Sequence, residues 1–273
     1  MTQQSSLRRL REFGVRPNRE LGQNFLIDDN ILRLIGDQAE LASDDVVLEI
    51  GGGLGVLSEF LAPRVAGLHV VEIDERLRAA LEDAVGGADG VQLHFADALD
   101  LDYSAFQPTP TKVVANLPYG IAATVVLKSI EELSGASLWV AMVQREVGER
   151  LAASPGTKTY GATSVIAQLA CDVKVARRVP PTVFHPAPNV ESAIVVLRRH
   201  SASPPRAVID LVHAGFAHRR KALPRALALA PGAQPGVRDA ARAALERMGH
   251  PADERAERLT PPEFLQLAEE LAK

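Results

Sequence analysis

The sequence predicts an α/β fold, a mainly parallel sheet with helices on both faces, followed by a small all-helical C-terminal domain. Three observations predict it. Short apolar runs alternate with segments of helical spacing through the first two thirds of the chain. The first such run, Val46–Ile50, ends in a cluster of glycines, as a strand does where it turns tightly into a helix. After Ser201-Ala-Ser-Pro-Pro205, which reads as a linker, the strand signals stop and only helical patterns remain.

Each element follows from its pattern. Val46–Ile50 is an apolar run, interrupted only by Glu49, and reads as a buried strand, and residues 56–65 have helical spacing. A second strand is predicted over 68–73, a second helix over 75–85 and a third strand at Val91–Phe95. Lys112–Asn116 is a fourth strand ending in a proline-containing turn, with a helix over 121–133 and a strand over 138–143 after it. Two late strands, 172–179 and 193–199, are joined by the proline-rich stretch 180–188. Helices are predicted over 208–216, 220–229, 238–248 and 262–272. The domain division expected is 1–200, including a basic arm at 1–20, and 201–273.

Composition removes several classes of function. A chain of 273 residues, 47% hydrophobic, is enough for a large domain with a real core plus a small one. No stretch approaches the roughly 18 consecutive apolar residues of a membrane helix. Residues 1–10 are polar and basic, unlike a secretory signal. Cys171 is the only cysteine, which leaves no internal disulfide and no cysteine-based metal site. A cytoplasmic monomer, away from membranes and without a bound metal, is the default expectation. His185, His213 and His218 lack metal-ligand spacing, no nucleophilic triad is visible, and no Gly-Lys-Ser/Thr follows the glycine turn.

The formal net charge of −4 argues against nucleic acid, but its placement argues for it. Arg8, Arg9, Arg11, Arg16 and Arg19 crowd the N-terminus against Glu12 and Glu20. Arg206, Arg219, Arg220, Lys221 and Arg225 stand against Asp210 alone. Acidic residues gather between Glu72 and Glu82 and between Glu254 and Glu257. Two basic ends on an acidic body form either an RNA footprint or solvated helix faces.

The glycine turn is Val47-Leu-Glu-Ile-Gly-Gly-Gly-Leu-Gly55. Glycines let a ligand approach the backbone, and the following helix offers free N–H groups. Glu72, about 20 residues on at the end of the next strand, can grip ribose hydroxyls. The arrangement suits an adenosine-containing cofactor, either a nicotinamide dinucleotide or S-adenosylmethionine, or it is a purely structural turn. The dinucleotide fingerprint asks for a glycine where Val56 stands, and Glu49 would repel a pyrophosphate but welcome a methionine ammonium. Asp97, with Ala98 after the third strand, is either an acceptor for a cofactor adenine or a simple turn cap.

Asn116-Leu117-Pro118-Tyr119, at the end of the fourth strand, carries the candidate chemistry. Adenine N6 is a poor nucleophile because its lone pair is delocalised into the ring. Acceptors aimed at both N–H bonds favour a pyramidal nitrogen and free that pair. Either the Asn116 amide oxygen and a backbone carbonyl next to Pro118 are such acceptors, with Tyr119 stacking on the base, or the tetrapeptide is an ordinary strand-ending turn, where Asn and Pro are common. Its place after the two earlier motifs favours the first. Phe184, in the proline-rich loop and outside any periodic apolar face, is either a second wall for the base or a plug in a local core. Stacking contributes roughly 1–3 kcal/mol per base and helps offset extrusion of the base from its RNA context.

With these motifs in view, the chain resembles the KsgA/RsmA family of small-subunit rRNA adenine dimethyltransferases along nearly its whole length. The resemblance begins with Leu21-Gly-Gln-Asn-Phe-Leu-Ile-Asp28 and runs through the glycine turn, Val71-Glu-Ile-Asp74, Asp97-Ala98 and Asn116-Leu-Pro-Tyr119. It continues through Lys158-Thr-Tyr-Gly161 and Val183-Phe-His-Pro-Ala-Pro-Asn-Val-Glu-Ser192 to Phe216-Ala-His-Arg-Arg-Lys221. It implies a Rossmann-like, S-adenosylmethionine-dependent methyltransferase sheet with a small helical C-terminal domain. It implies that two adjacent adenines near the 3′ end of 16S rRNA, in the small (30S) subunit or its precursor, are dimethylated during ribosome biogenesis. Carried over by motif, Gln23, Asn24, Leu26, Glu49, Gly51, Gly53, Glu72, Ile73, Asp97, Ala98 and Asn116 hold S-adenosylmethionine. Asn116, Leu117, Pro118, Tyr119 and Phe184 surround the target base, and Arg219, Arg220 and Lys221 bind RNA.

Two positions depart from the family pattern: Gly52 stands where proline is usual, and Gly120 where asparagine is usual. The nearest rival is the sister group of macrolide-resistance enzymes, which methylate one adenine of large-subunit rRNA. Lys158-x-Tyr-Gly161 and Val190-x-Ser-Ala193 favour the small-subunit activity. A non-catalytic assembly factor and a dehydrogenase are the remaining alternatives, and the intact Asn116 turn argues against both.

Overall fold

A computed structural model describes residues 2–18 and 20–273, and for residues 2–4 the backbone alone. Arg19, counted above in the basic arm, lies outside the described residues. The chain divides into two compact units. One holds the chain up to Gly148 together with Asp172–Arg199, and the other holds Glu149–Cys171 and His200–Lys273.

In chain order, the first unit contains α1 (Thr2–Glu12), β1 (Phe25–Leu26), α2 (Asp29–Ala39), β2 (Val46–Ile50), α3 (Val56–Leu61) and β3 (Gly67–Glu72). It continues with α4 (Arg78–Val85), β4 (Val91–Phe95), β5 (Lys112–Asn116), α5 (Ala122–Glu132) and β6 (Leu138–Gln144). Helix α6 (Arg145–Leu151) leads into the second unit, which holds α7 (Ala162–Ala170). Strands β7 (Cys171–Val179), β8 (Phe184–His185) and β9 (Ser192–Arg199) return to the first. The second unit then resumes with α8 (Arg206–Ala217), α9 (Leu223–Ala228), α10 (Val237–Arg247) and α11 (Pro261–Leu271).

The main sheet has the order β4-β3-β2-β5-β6-β9-β7. Strands β2 to β6 are mutually parallel, and β9 runs antiparallel to β6. All five residues of β2 are buried, as expected of a parallel strand covered on both faces. The strand order reverses between β2 and β5, so their carboxyl ends diverge and open a crevice where ligands of such sheets bind. The glycine turn and the Asn116 turn both lie at that crevice.

The predicted strands appear within a residue of their expected ends, while three helices differ for identifiable reasons. The helix expected over 56–65 stops at Leu61, and Pro63 sits in a 3₁₀ turn after it. The helix expected over 75–85 opens with a 3₁₀ turn capped by the Asp74 carboxylate and becomes α-helical at Arg78. The helix expected over 220–229 starts at Leu223, with Pro224 in its first turn where a missing N–H does no harm.

The domain boundary also differs. Residues 149–171, assigned above to the sheet domain, belong to the helical unit. The cause is tertiary: α7 is largely apolar and packs against α8 and α11. In the same unit Tyr160 is fully buried, donates its hydroxyl to the Leu259 carbonyl at 2.8 Å and meets Phe216 edge-on at 6.0 Å. Lys158-Thr-Tyr-Gly161 is therefore part of the helical unit's packing.

The basic arm needs a second correction. Apolar residues of α1, Leu10 foremost, pack with Phe25, Leu54, Leu77 and Ala80. That docking carries Arg9 inward to only 2% exposure, paired with Glu59 at 2.9 Å and Asp83 at 3.0 Å. Arg8 bonds Glu12 and Asp83. Arg9 is thus a structural clamp rather than part of an RNA footprint, whereas Arg11 and Arg16 remain exposed.

Candidate active site

A cavity of about 770 Å³, part of it open to solvent, lies at the carboxyl ends of β2, β3 and β5. Residues 21–26 cover it, and Glu49, residues 51–54, Glu72, Ile73 and the turn 116–119 line it. The structure therefore brings together Gln23, Asn24, Leu26, Glu49, Gly51, Gly53, Glu72, Ile73, Asn116, Leu117, Pro118 and Tyr119, all anticipated above.

Gly51 has φ +85, and a Cβ there would stand 3.1 Å from the Asn116 backbone oxygen, so only glycine lets the two turns approach this closely. Gly52 has a local reason of its own. Its N–H donates to the Val71 carbonyl at 3.1 Å, and a Cβ would lie 2.5 Å from Val70 Cγ1. Val70 and Leu81 fill the space that the family's usual proline would need. At Gly120 a Cβ would meet nothing within 4 Å.

Two carboxyls dominate the electrostatics. Glu49 is 1% exposed in a strand that is otherwise apolar, and accepts the Ser58 hydroxyl at 2.6 Å. Burial pushes its pKa up to about 8, with repulsion from Glu72 adding to the shift. A buried carboxyl with no cationic partner among the described residues is what a ligand ammonium would complete. Glu72 accepts the backbone N–H of Gly53 at 2.8 Å and of Asp74 at 2.9 Å, and burial raises its pKa as well. Asp74 behaves oppositely: hydrogen bonds from Arg76 hold its pKa at about 2.

The covering segment is tied down at several points. Gln23 Nε2 donates to Asp74 at 2.8 Å, while its Oε1 accepts the Asn18 N–H at 2.7 Å. Ser6 donates its hydroxyl to the Leu26 carbonyl at 2.7 Å. Asp28, the last residue of the N-terminal signature, caps α2 by accepting the N–H of Asn30 and Ile31.

The Asn116 turn lines the cavity. Asn116 Nδ2 donates to the Asn24 carbonyl at 3.3 Å, which leaves Oδ1 as the acceptor of that side chain. The Leu117 N–H is taken by the Met142 carbonyl and the Pro118 carbonyl by the Ile121 N–H. The Tyr119 hydroxyl is bonded to Ser192 Oγ at 2.6 Å, and burial raises its pKa.

Three expected residues are not among those lining the cavity. Asp97 Oδ1 caps its own turn by accepting the Leu99 N–H at 2.8 Å, and the Ala98 carbonyl accepts the Tyr103 hydroxyl at 2.7 Å. Phe95 pairs with Glu72 across β3 and β4, so Asp97 follows at the same end of the sheet. Phe184 is a correction. It is 3% exposed, pairs with Leu26 in the small β1–β8 ladder and joins the main core. Of the two readings given above, this burial fits the plug in a core.

In the second unit, Arg219, Arg220 and Lys221 line a basic concavity with Arg225, Arg238 and Arg242, facing Asp253 as its only acidic lining residue. Arg219 is engaged, bonding Glu257 at 2.9 Å and the Thr157 carbonyl at 3.2 Å. Sequence reasoning missed Arg238 and Arg242, although their spacing of four residues on a helix puts both on one face. It also missed Phe25 and Leu54, which carry no chemical signature, Ser58, whose partner Glu49 lies across the glycine turn, and Ser192, whose partner Tyr119 is distant in sequence.

The family model described as ribosomal RNA adenine dimethylase matches residues 14–273. The chain belongs to that family. As a ribosomal RNA adenine dimethylase it is an S-adenosylmethionine-dependent methyltransferase, in line with the cofactor and enzyme class expected from its motifs. It is 46% identical to Ribosomal RNA small subunit methyltransferase A of Rubrobacter xylanophilus, across 92% of this chain and 94% of that one. Among solved structures it is similar to a dimethyladenosine transferase from Plasmodium falciparum. The TM-score is 0.76 at 25% identity, with 89% of this chain and 95% of that one covered. It is also similar to the 23S rRNA methyltransferase ErmE, with a TM-score of 0.66 and 27% identity, covering 92% of this chain and all 100% of the other. Among the described residues no helix is long and apolar enough to cross a membrane.

Proposed function

We propose that this dimethylase transfers methyl groups to N6 of two adjacent adenines near the 3′ end of 16S rRNA, in the small subunit or its precursor. It acts as a cytoplasmic monomer. The observation that carries the chemistry is the donation of Asn116 Nδ2 to the Asn24 carbonyl at 3.3 Å in a turn that lines the cavity, which supports a reading with Asn116 Oδ1 and the neighbouring Leu117 carbonyl as the two acceptors.

The donor-binding residues fit the cofactor. The buried Glu49 receives the methionine ammonium, and Gly51 and Gly53, which line the cavity without side chains, flank the methionine part. Glu72 grips the ribose hydroxyls, and Ile73, 46% exposed beside it, offers an apolar face to the cofactor adenine. Asp97 receives the amine of that adenine at the edge of the site. S-adenosylmethionine, when bound, supplies an electrophilic methyl group on a sulfonium.

The residues of the turn do the rest. Asn116 Oδ1 and the Leu117 carbonyl each accept one N–H of the target amine, drawing the lone pair out of the ring. Pro118 stiffens the turn and Tyr119 stacks on the base, so the protein's contribution is mainly alignment. N6 becomes acidic as it is alkylated and gives its proton to water, so no general base is needed. The basic concavity of the helical unit holds RNA phosphates independently of base identity.

The test is methyl transfer from labelled S-adenosylmethionine to unmethylated small subunits and to large-subunit rRNA, with the modified bases mapped. Dimethyladenosine in small-subunit RNA is the expected result. Label confined to large-subunit rRNA would place the protein beside its ErmE-like structural relative, and no label in either would leave a scaffold role.

A further inference from the structure

We infer that Ser192 is a positioning residue for the second methyl transfer, acting through the Tyr119 ring. The inference rests on the reading of the Asn116 turn given above.

The geometry isolates this contact. Tyr119 is half-buried and is one of the residues lining the cavity, and in the reading above its ring is the surface on which the base stacks. Its chain neighbours restrain it little on one side, because Gly120 is exposed and has open space around it. The far end of the ring is fixed by the hydroxyl, which meets Ser192 Oγ at 2.6 Å. Burial keeps that hydroxyl neutral, so the contact is an ordinary hydrogen bond with either oxygen as donor.

Ser192 is itself immobilised. It is fully buried, opens β9 and stands opposite Gln144 in the antiparallel ladder with β6. The residue before it is clamped twice, since the Glu191 carbonyl accepts the Arg145 N–H at 2.9 Å and its carboxylate meets the Arg145 guanidinium at 2.7 Å. A serine hydroxyl on the rim of a rigid sheet therefore sets where the aromatic ring of a turn points.

The consequence falls on one of the two transfers. Unmodified adenine offers two N–H bonds to the two acceptors, Asn116 Oδ1 and the Leu117 carbonyl. The monomethylated product has one N–H left and satisfies only one of them. Holding it for the second transfer relies more on stacking, and hence on the angle of the Tyr119 ring. Loss of the Ser192 bond should slow the second transfer more than the first, so that N6-methyladenine accumulates.

The experiment compares the full-length wild type with Ser192→Ala, Tyr119→Phe and the double variant on unmethylated small subunits, resolving mono- and dimethyladenosine over time. Affinity for S-adenosylmethionine, measured on each variant, reports an intact fold. A lost neutral hydrogen bond predicts a second-transfer rate reduced about 3- to 10-fold in Ser192→Ala, with a raised mono-to-dimethyl ratio and unchanged cofactor affinity. The double variant should match the more impaired single, because both substitutions remove the same bond. An unchanged product ratio in an active Ser192→Ala enzyme, or multiplicative losses in the double variant, would overturn the inference. A wild type that methylates no adenine in either subunit would overturn the functional reading itself, and the inference with it.

Discussion

Asn116 Nδ2 points at the Asn24 carbonyl, 3.3 Å away, and this contact decides which way the amide faces. A carbonyl oxygen can only accept, so the amide nitrogen must be the atom turned toward it. The amide oxygen is left as the acceptor of a side chain that lines the cavity. One backbone atom of the covering segment thus sets the polarity of the candidate catalytic residue.

The substitution Asn116→Ala removes the acceptor and should lower kcat by about 100-fold or more, the usual scale for a preorganised polar group at a reaction centre. RNA binding should be unaffected, because the basic concavity proposed to hold phosphates lies in the other unit. Asn116→Asp keeps an acceptor but cannot donate to the Asn24 carbonyl, so it should also be impaired. Filter binding alongside single-turnover methylation checks this, and equal loss of both in Asn116→Ala would contradict the assigned role.

Affinity for S-adenosylmethionine should rise with pH. In the free protein the Glu49 carboxyl titrates at about 8, chiefly because it is buried. An ammonium ligand prefers the ionised form, so binding expels the proton. Below about pH 8 the affinity should increase by up to about tenfold per pH unit, levelling as the ligand's own amine begins to deprotonate. The sign for stability is the reverse. The folded state holds this proton more tightly than the unfolded chain, so its contribution is full in acid and is lost as pH rises toward 8. Calorimetry between pH 6 and 7.5, in buffers of different ionisation heats, should detect proton release. Glu49→Gln should abolish that release, and a pH-independent affinity in the wild type would count against the assignment.

The basic concavity separates two kinds of arginine. The side chains of Arg220, Arg238 and Arg242 have no ion pair or hydrogen bond among the described residues, whereas that of Arg219 is tied to Glu257 and Thr157. Neutralising Arg238 or Arg242 should reduce the slope of log K for RNA against log salt by about 0.7–0.9 for each phosphate that is no longer neutralised. Arg219→Ala should instead lower the unfolding midpoint. Fluorescence anisotropy across a salt series, with thermal melts, tests the division. An unchanged slope after both Arg238 and Arg242 are neutralised would make the concavity a solvated surface.

Local pattern was enough for what is encoded locally. Val46–Ile50 and Lys112–Asn116 are apolar runs stopped by glycine or by Asn-Leu-Pro, and both strands and the turns after them lie where those residues dictate. Most cavity residues were legible for the same reason, since they sit on turns at strand ends. Phe184 was not, because its burial depends on a two-residue ladder with Phe25–Leu26, far away in sequence. Residues 149–171 were misassigned because α7 buries its apolar side on helices that come later in the chain. The sequence shows the charge of Arg9 but not its direction, which is set by apolar neighbours on α1.

That direction makes a last prediction. Arg9 donates to Glu59, Asp83 and the Leu54 carbonyl, and so joins α1 to α3, to α4 and to a residue that lines the cofactor cavity. Both carboxylates are partly exposed and rehydrate when the guanidinium is removed, so the loss is smaller than for a wholly buried pair. Arg9→Ala should destabilise the protein by about 1–3 kcal/mol in urea unfolding, the range for hydrogen bonds to charged groups. Cofactor affinity should fall as α1 loosens behind Phe25 and Leu54, while the salt slope for RNA binding should not change. Arg9→Lys, which supplies one point charge in place of the planar fork, should recover only part of the stability. A reduced RNA salt slope with wild-type stability would return Arg9 to the RNA surface.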